Sequence, residues 1–236
     1  MQKLKTKTAQ EVIEWALVNY KEKVAIASSF SAEDVILIDM ACKIAKEKNL
    51  QQPRIFTLDT GRLNQETYDV MDKIRKKYDI VIEVYFPDYN EVEDMVKKFG
   101  FNLFYESLEL RKLCCKIRKV NPLNRVMKTL DAWICGLRKE QSLTRLEVKQ
   151  IEEEERIIDG IKRKIIKINP LVDWTESEIW KYIKENDVPY NTLYDRGYTS
   201  IGCAPCTRLT KKIEDIRAGR WWWEDPDKKE CGLHKR

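Results

Sequence analysis

Seven cysteines are the residues whose type and spacing point most directly to chemistry in this sequence. Cys203 and Cys206 form a Cys-Ala-Pro-Cys motif, a spacing typical of metal ligands and of redox pairs. Cys114 and Cys115 supply two adjacent thiols, and four thiolates from two segments suit Zn²⁺ or an iron–sulfur cluster. The side chains of two adjacent residues point in different directions. Cys114 and Cys115 would therefore bind two separate irons of a cluster more easily than a single tetrahedral ion. The spacing favours a cluster and leaves zinc, a vicinal disulfide and coincidence open.

Cys231, near the end of the sequence, is the candidate nucleophile. A thiolate rather than a thiol attacks an electrophile, and nearby cations lower the pKa of a thiol. Arg217 and Arg220 precede Cys231 and supply such cations. We expect Cys42 and Cys135 to be buried, because they lie among apolar residues in a predicted helix and a predicted strand.

Composition narrows the classes of function. The sequence contains one histidine, His234, which excludes a His-rich zinc site and a two-histidine iron site. The 236 residues carry a net charge of +5, which fits ordinary solubility or an anionic small-molecule ligand. No Lys/Arg block is dense enough to indicate nucleic-acid binding. No apolar run approaches the roughly 20 residues that span a membrane, and residues 1–17 lack an apolar signal core, so we expect a cytoplasmic protein.

Predicted strands alternate with predicted helices, which indicates right-handed crossovers and a mainly parallel sheet. Capping boxes at Thr8 and Thr175 mark two helix starts. The acidic run 152–155 is interpreted as a solvated turn or hairpin edge. The predicted strands are 24–27, 54–58, 80–85, 133–136 and 162–168, and the other predicted helices are 34–46, 65–77 and 91–99. Ligands bind at the carboxyl ends of parallel strands, so we expect residues 28–31, 59–62 and 136–145 to converge on one crevice.

Several stretches of the sequence resemble the assimilatory phosphosulfate reductases, in the branch that carries an iron–sulfur cluster and reduces adenosine 5′-phosphosulfate. The resemblance covers almost the whole chain, and its tail motif is very specific. The matching stretches are SSFSAED (28–34), LDTGR (58–62), CCKIRKVNPL (114–123), EQS and TR (140–145), NPLVDWTESEIW (169–180), GCAPCTR (202–208) and RAGRWWWEDPDKKECGLH (217–234).

The resemblance implies an α/β fold of the adenine-nucleotide α-hydrolase type, with a central parallel sheet flanked by helices. Residues 1–210 would form the nucleotide-binding domain with a 4Fe-4S cluster on the four clustered cysteines, and residues 211–236 an irregular arm with Cys231. The loop after the first strand would be a modified pyrophosphate loop without glycine. The residues implied to bind substrate are Ser28, Ser29, Ser31, Thr60, Gly61, Arg62, Lys119, Arg145, Arg217 and Arg220.

The implied reaction is thiol-dependent reduction of adenosine 5′-phosphosulfate to sulfite and AMP in sulfate assimilation. Cys231 would attack the sulfur and form an S-sulfocysteine, which thioredoxin or glutaredoxin would then reduce. The 3′-phosphorylated nucleotide is a second candidate substrate, and a homo-oligomer is expected.

Lys119 lies four residues after Cys115. If Cys115 begins a helical turn, Lys119 shares its face and offsets the charge of the thiolates.

Two alternatives depend on the same residues. A nucleotide-dependent thiolation or amidation enzyme of this fold, with zinc on the four cysteines, would need a glycine-rich loop that the sequence lacks. A redox-sensing binding module would use the basic surface and expose residues 221–223, a run of three tryptophans. In the favoured interpretation these tryptophans anchor the arm on the body of the protein.

Overall fold

Six strands form one sheet in a computed structural model that describes residues 7–142, 145–211, 214–225 and 232–233. Their order across the sheet is β3-β2-β1-β4-β6-β5, and all pairs are parallel except the last, in which β5 runs antiparallel to β6. The predicted parallel sheet is confirmed. The strands are β1 Val24–Ala27, β2 Arg54–Leu58, β3 Ile82–Tyr85, β4 Ala132–Cys135, β5 Ile151–Ile158 and β6 Ile161–Ile168.

Seven α-helices connect or cover these strands within the described ranges. Thr8 and Thr175 cap two of them through the predicted capping boxes. None of these helices is both long enough and apolar enough to cross a bilayer. The helices are α1 Ala9–Tyr20, α2 Ala32–Glu47, α3 Gln65–Tyr78, α4 Tyr89–Phe99, α5 Leu108–Cys115, α6 Asn121–Met127 and α7 Glu176–Glu185.

The helix around the paired cysteines was not anticipated from the sequence. Cys115 ends α5 instead of beginning a helical turn, and a π-helical segment, Lys116–Val120, leads without a break into α6. Pro122 lies in the first turn of α6. A proline ring clashes with the carbonyl four residues earlier in an α-helix, and the wider π turn relieves that clash.

The acidic run lies within β5, the edge strand of the β5–β6 hairpin, so the predicted hairpin edge is confirmed and the alternative of a turn is wrong. Its exposed carboxylates pair with lysines on β6 across the hairpin. Glu153 lies 2.7 Å from Lys164, and Glu155 lies 2.6 Å from Lys162. Each ion pair joins diagonal positions, since Glu153 faces Ile166 and Glu155 faces Lys164. Opposite charges on such neighbouring positions favour antiparallel pairing, which explains why this charged sequence forms a strand.

Apolar residues cover both faces of the sheet because side chains alternate along each strand. Ile26 and Ile134 face the core formed with α1, α2, α3 and α7. Ala25 and Trp133, their neighbours in sequence, face a second core formed with α6. The sheet is therefore held between two helical layers, and the carboxyl ends of β1, β2 and β4 lie at one edge.

Candidate functional site

A large crevice opens at the carboxyl ends of β1, β2 and β4. The three segments that follow these strands all contribute to its wall, as the parallel topology predicts. Arginines from the C-terminal part of the chain complete the wall. The predicted substrate-binding residues that line this crevice are Ser28, Ser29, Ser31, Thr60, Lys119, Arg145, Arg217 and Arg220.

The serine loop after β1 turns sharply without using glycine. Phe30 adopts a φ of 57°, a left-handed conformation that bulky residues rarely take. Its side chain is fully buried, and its backbone N–H donates to Ser28 Oγ at 3.1 Å. The backbone N–H and the hydroxyl of Ser29 donate to Asp34 Oδ2 at 2.6 and 2.8 Å. Burial and these hydrogen bonds offset the cost of the turn, and leave Ser29 and Ser31 on the crevice wall.

Asp34, in the first turn of α2, is a buried carboxylic acid beside the crevice. Burial raises its pKa to about 6, although the hydrogen bonds from Ser29 act in the opposite direction. A Cβ placed on Gly136 would lie 2.5 Å from Asp34 Oδ1. The chain after β4 therefore packs directly against the start of α2, and no side chain fits between them.

Five cations among the described residues line the crevice: Lys119, Arg138, Arg145, Arg217 and Arg220. Arg138, which the sequence analysis missed, forms a 2.9 Å ion pair with Glu33. Arg145 donates to Gln141 Oε1, and Arg220 donates to the carbonyl oxygen of Ile201 at 3.0 Å. The guanidinium of Arg220 occupies the space that a side chain at position 202 would need, since a Cβ on Gly202 would lie 2.2 Å from Arg220 Nη2. Guanidinium groups donate paired hydrogen bonds to phosphate-like oxygens, so this wall suits a phosphate or sulfate group.

Residues 59–62 contribute to the walls of two cavities, the crevice and a second, smaller cavity. Thr60 lines the crevice, and its hydroxyl lies 3.3 Å from Cys203 Sγ. Gly61 adopts a φ of 68°. Arg62 lies outside the crevice wall, with its guanidinium donating to the carbonyl oxygen of Phe101 at 2.6 Å and lying over the ring of Phe104. Direct contact of Gly61 and Arg62 with substrate stays a prediction.

The four predicted ligand cysteines, Cys114, Cys115, Cys203 and Cys206, line a second, smaller cavity. All four are thiols rather than disulfides, and all are buried. The end of α5 places the first pair, and a tight turn in which Cys206 N–H donates to the carbonyl oxygen of Cys203 at 2.9 Å places the second. Trp221 is buried against them, as expected of an anchor for the arm.

Cations also line the cysteine cavity: Arg62, Arg111, Arg118 and Lys119. Burial raises the pKa of Cys206 to about 12, with a further contribution from Cys203. Burial acts in the same direction on Cys203, but Lys119 and the hydrogen bond from Thr60 outweigh it and lower the pKa of that thiol. The cations that line this cavity therefore act on the pKa of Cys203 in the direction that a thiolate ligand requires.

The donor set fits the ligands of an iron–sulfur cluster. Cysteine thiolates are the usual protein ligands of such clusters. Four buried thiols with several nearby cations match the thiolate ligands and the negative charge of such a cluster.

Cys231 lies outside the described residues, so its role as nucleophile stays a prediction. Gly232 and Leu233, which follow it, are described, and Leu233 lines the crevice. Cys135 is buried and Cys42 half-buried, and burial raises the pKa of both thiols. Neither is a candidate for catalysis.

Comparison with known proteins finds a matching family model, several similar relatives and a similar crystal structure. Residues 23–209 match the phosphoadenosine phosphosulfate reductase domain. The adenosine 5′-phosphosulfate reductase of Burkholderia cepacia is 49% identical over 90% of this chain and 81% of its own length. That of Allochromatium vinosum is 45% identical over 91% and 80%. The crystal structure of phosphoadenylyl-sulfate reductase from Candida auris superposes with a TM-score of 0.70 at 31% identity, covering 86% of this chain and 91% of the other.

Asp34→Asn tests the buried acid of the crevice. Because the folded pKa of Asp34 is raised, the folded state binds its proton more tightly than the unfolded chain. This contribution to stability is present at low pH and is lost as the pH rises through about 6. We expect the stability of the wild type to fall by about 1.4 kcal/mol relative to Asp34→Asn between about pH 5 and pH 8.

Urea unfolding of both proteins across this pH range measures the difference. Parallel stability curves for the two proteins would show that Asp34 is ionised in the folded state throughout.

Proposed function

The chain belongs to the phosphoadenosine phosphosulfate reductase family, and we propose that it reduces adenosine 5′-phosphosulfate to sulfite and AMP. The observation that supports this most strongly is the joint arrangement of the two cavities. A crevice lined by cations at the carboxyl edge of the sheet adjoins a pocket of four buried thiols. Lys119 lines both.

The proposed reaction proceeds through Cys231. Its thiolate attacks the sulfur of the sulfuryl group, so that an S–S bond forms and the S–O bond to AMP breaks, with AMP taking the electron pair. A thiolate of an external dithiol then attacks the Cys231 sulfur, and sulfite leaves with the electron pair of the S–S bond. The second thiol of the dithiol releases Cys231 as a thiol and becomes part of a disulfide.

The crevice residues bind and orient the nucleotide and neutralise its charge. Arg145 and Arg220 are fixed by hydrogen bonds to Gln141 and to the carbonyl oxygen of Ile201, so their guanidinium groups are positioned before substrate arrives. Charge that develops on phosphate oxygens as AMP departs is stabilised by such preorganised donors. We propose Arg217 and Lys119 as further contacts to the phosphosulfate, because both line the crevice.

We propose a 4Fe-4S cluster held by Cys114, Cys115, Cys203 and Cys206. Such a cluster supplies a compact, negatively charged centre and cross-links two distant parts of the chain. The dithiol provides both electrons of the reduction, so the cysteines need only hold the cluster, while Arg118 and Lys119 offset its charge.

The remaining expectations concern partners and location. We propose thioredoxin or glutaredoxin as the dithiol, because the second step needs a reductant that can form an internal disulfide. A homo-oligomer, a cytoplasmic location and the division into residues 1–210 and an arm over 211–236 stay predictions.

Cys231→Ser tests the nucleophile. The variant should bind substrate and form no sulfite, because a serine hydroxyl is a far weaker nucleophile than a thiolate. Mass spectrometry of the wild type with substrate and no reductant should show one sulfo group on Cys231. Sulfite release by the variant at the wild-type rate, with no adduct on the wild type, would refute the assignment.

Cys203→Ser tests the cluster. We expect the wild-type protein, purified without oxygen, to show the broad visible absorption of thiolate-ligated iron, and the variant to lose most of it. Cys42→Ser is the matched control, since Cys42 lies outside the cysteine cavity and should leave iron content unchanged. A colourless wild type with stoichiometric zinc would overturn the cluster assignment.

The choice of nucleotide is tested by sulfite release with and without a 3′-phosphate on the substrate. We expect a higher kcat/KM for adenosine 5′-phosphosulfate, because a 3′-phosphate adds charge that must be paired when it is removed from water. A higher kcat/KM for the 3′-phosphorylated nucleotide would reassign the substrate and leave the reaction unchanged.

A further inference from the structure

The two residues that follow Cys231 lie against the body of the protein. Leu233 is half-buried and packs against the second core, whose members include Leu123 and Trp133. Gly232 is exposed and adopts a φ of 79°. A glycine takes this left-handed conformation without strain, so the chain can turn here and direct the next side chain inward.

Arg156 on β5 contacts this part of the arm. Its Nη2 donates to the carbonyl oxygen of Leu233 at 2.5 Å. The same guanidinium forms a 2.7 Å ion pair with Glu154 and lies over the ring of Trp133, 4.9 Å from its centroid. Arg156 is only 1% exposed. Glu154 and Trp133 therefore hold the Arg156 guanidinium in place, and the arm supplies only the carbonyl oxygen of Leu233 as the acceptor.

We infer that Arg156 and Leu233 form a latch that positions the arm for the first step of the reaction. The inference rests on the proposed function, in which Cys231 is the nucleophile. Two residues of chain span about 7 Å at most, so an anchored Leu233 keeps the Cα of Cys231 within that distance of its own Cα. Leu233 itself lines the crevice. The latch thus confines the thiol to the neighbourhood of the bound nucleotide.

The latch serves one of the two steps and opposes the other. With the arm docked, the thiolate stays close to the sulfuryl group, which lowers the entropic cost of forming the S–S bond and breaking the S–O bond. With the arm undocked, the external dithiol reaches the Cys231 sulfur and sulfite departs. Of the segment after Cys231, the two described residues contribute one hydrogen bond and one half-buried leucine, so this contact can open while Trp221 keeps the rest of the arm anchored.

Two measurements on the intact chain separate these effects. Alkylation of Cys231 by iodoacetamide without substrate, followed by peptide mass spectrometry, measures how often the arm is undocked. Single-turnover formation of the sulfo adduct, followed by sulfite release on addition of dithiol, measures each chemical step by itself.

Leu233→Ala should raise the alkylation rate and slow adduct formation by about tenfold each, and leave sulfite release from preformed adduct unchanged or faster. Arg156→Lys should act in the same direction, because a lysine retains the charge beside Glu154 but loses the forked donor. If both residues act through one docked state, the double variant should change less than the product of the single effects.

Matched controls lie elsewhere in the chain. Leu209→Ala removes a half-exposed leucine that does not line the crevice. Arg163→Lys alters an arginine of the neighbouring strand that donates to the carbonyl oxygens of Met127 and Lys128, both at 3.0 Å. Both controls should alkylate Cys231 and form the adduct at wild-type rates.

The outcomes distinguish the latch from the nucleophile assignment. Wild-type alkylation and adduct rates in Leu233→Ala and Arg156→Lys would overturn the latch and leave the proposed function intact. Equal slowing of both chemical steps would also overturn it, because damage to the fold rather than undocking has that effect. Absence of any adduct on wild-type Cys231 would overturn the nucleophile assignment and with it the catalytic role of the latch, whatever the alkylation rates.

Discussion

The continuous helical segment from α5 through the π-helical turn to α6 determines how the two cavities meet. One end of α5 supplies Cys114 and Cys115, and the π turn directly after it supplies Arg118 and Lys119. Lys119 lines the crevice and the cysteine cavity at once. Because Cys114, Cys115, Arg118 and Lys119 come from adjacent turns of one helical element, helix geometry fixes their spacing across the boundary between the two cavities.

Electrostatics explains why so many cations gather at that boundary. The proposed cluster and a bound phosphosulfate would both carry negative charge, and like charges repel strongly where water is excluded. Arg118 donates to the carbonyl oxygen of Thr60 at 2.7 Å, and the hydroxyl of Thr60 lies 3.3 Å from Cys203 Sγ. These contacts connect the loop after β2 to the cysteine cavity, so the neighbouring cations can offset both negative groups.

Much of this arrangement could be predicted from the sequence because it follows from topology and from side-chain chemistry. Alternating strands and helices imply a parallel sheet, and the parallel sheet brings the serine loop, Thr60 and Arg145 to one edge. The positive φ of Phe30 could not be predicted, because it depends on burial and on Asp34, five residues from Ser29. Nothing in the sequence around Arg62 indicated whether its side chain would line the crevice or the cysteine cavity. The π-helical turn could not be predicted either, because it depends on how a helix stabilised by tertiary packing accommodates Pro122.

The close contact between Gly136 and Asp34 has a consequence for how such an enzyme can diverge. The end of β4 touches the start of α2 with no intervening side chain, and both belong to the packed sheet and its helical layer. The floor of the crevice is therefore nearly incompressible. We expect a new preference among nucleotides to arise in the segments that carry Arg145 and Arg217, because loops accept exchanged or inserted residues while the floor keeps its shape.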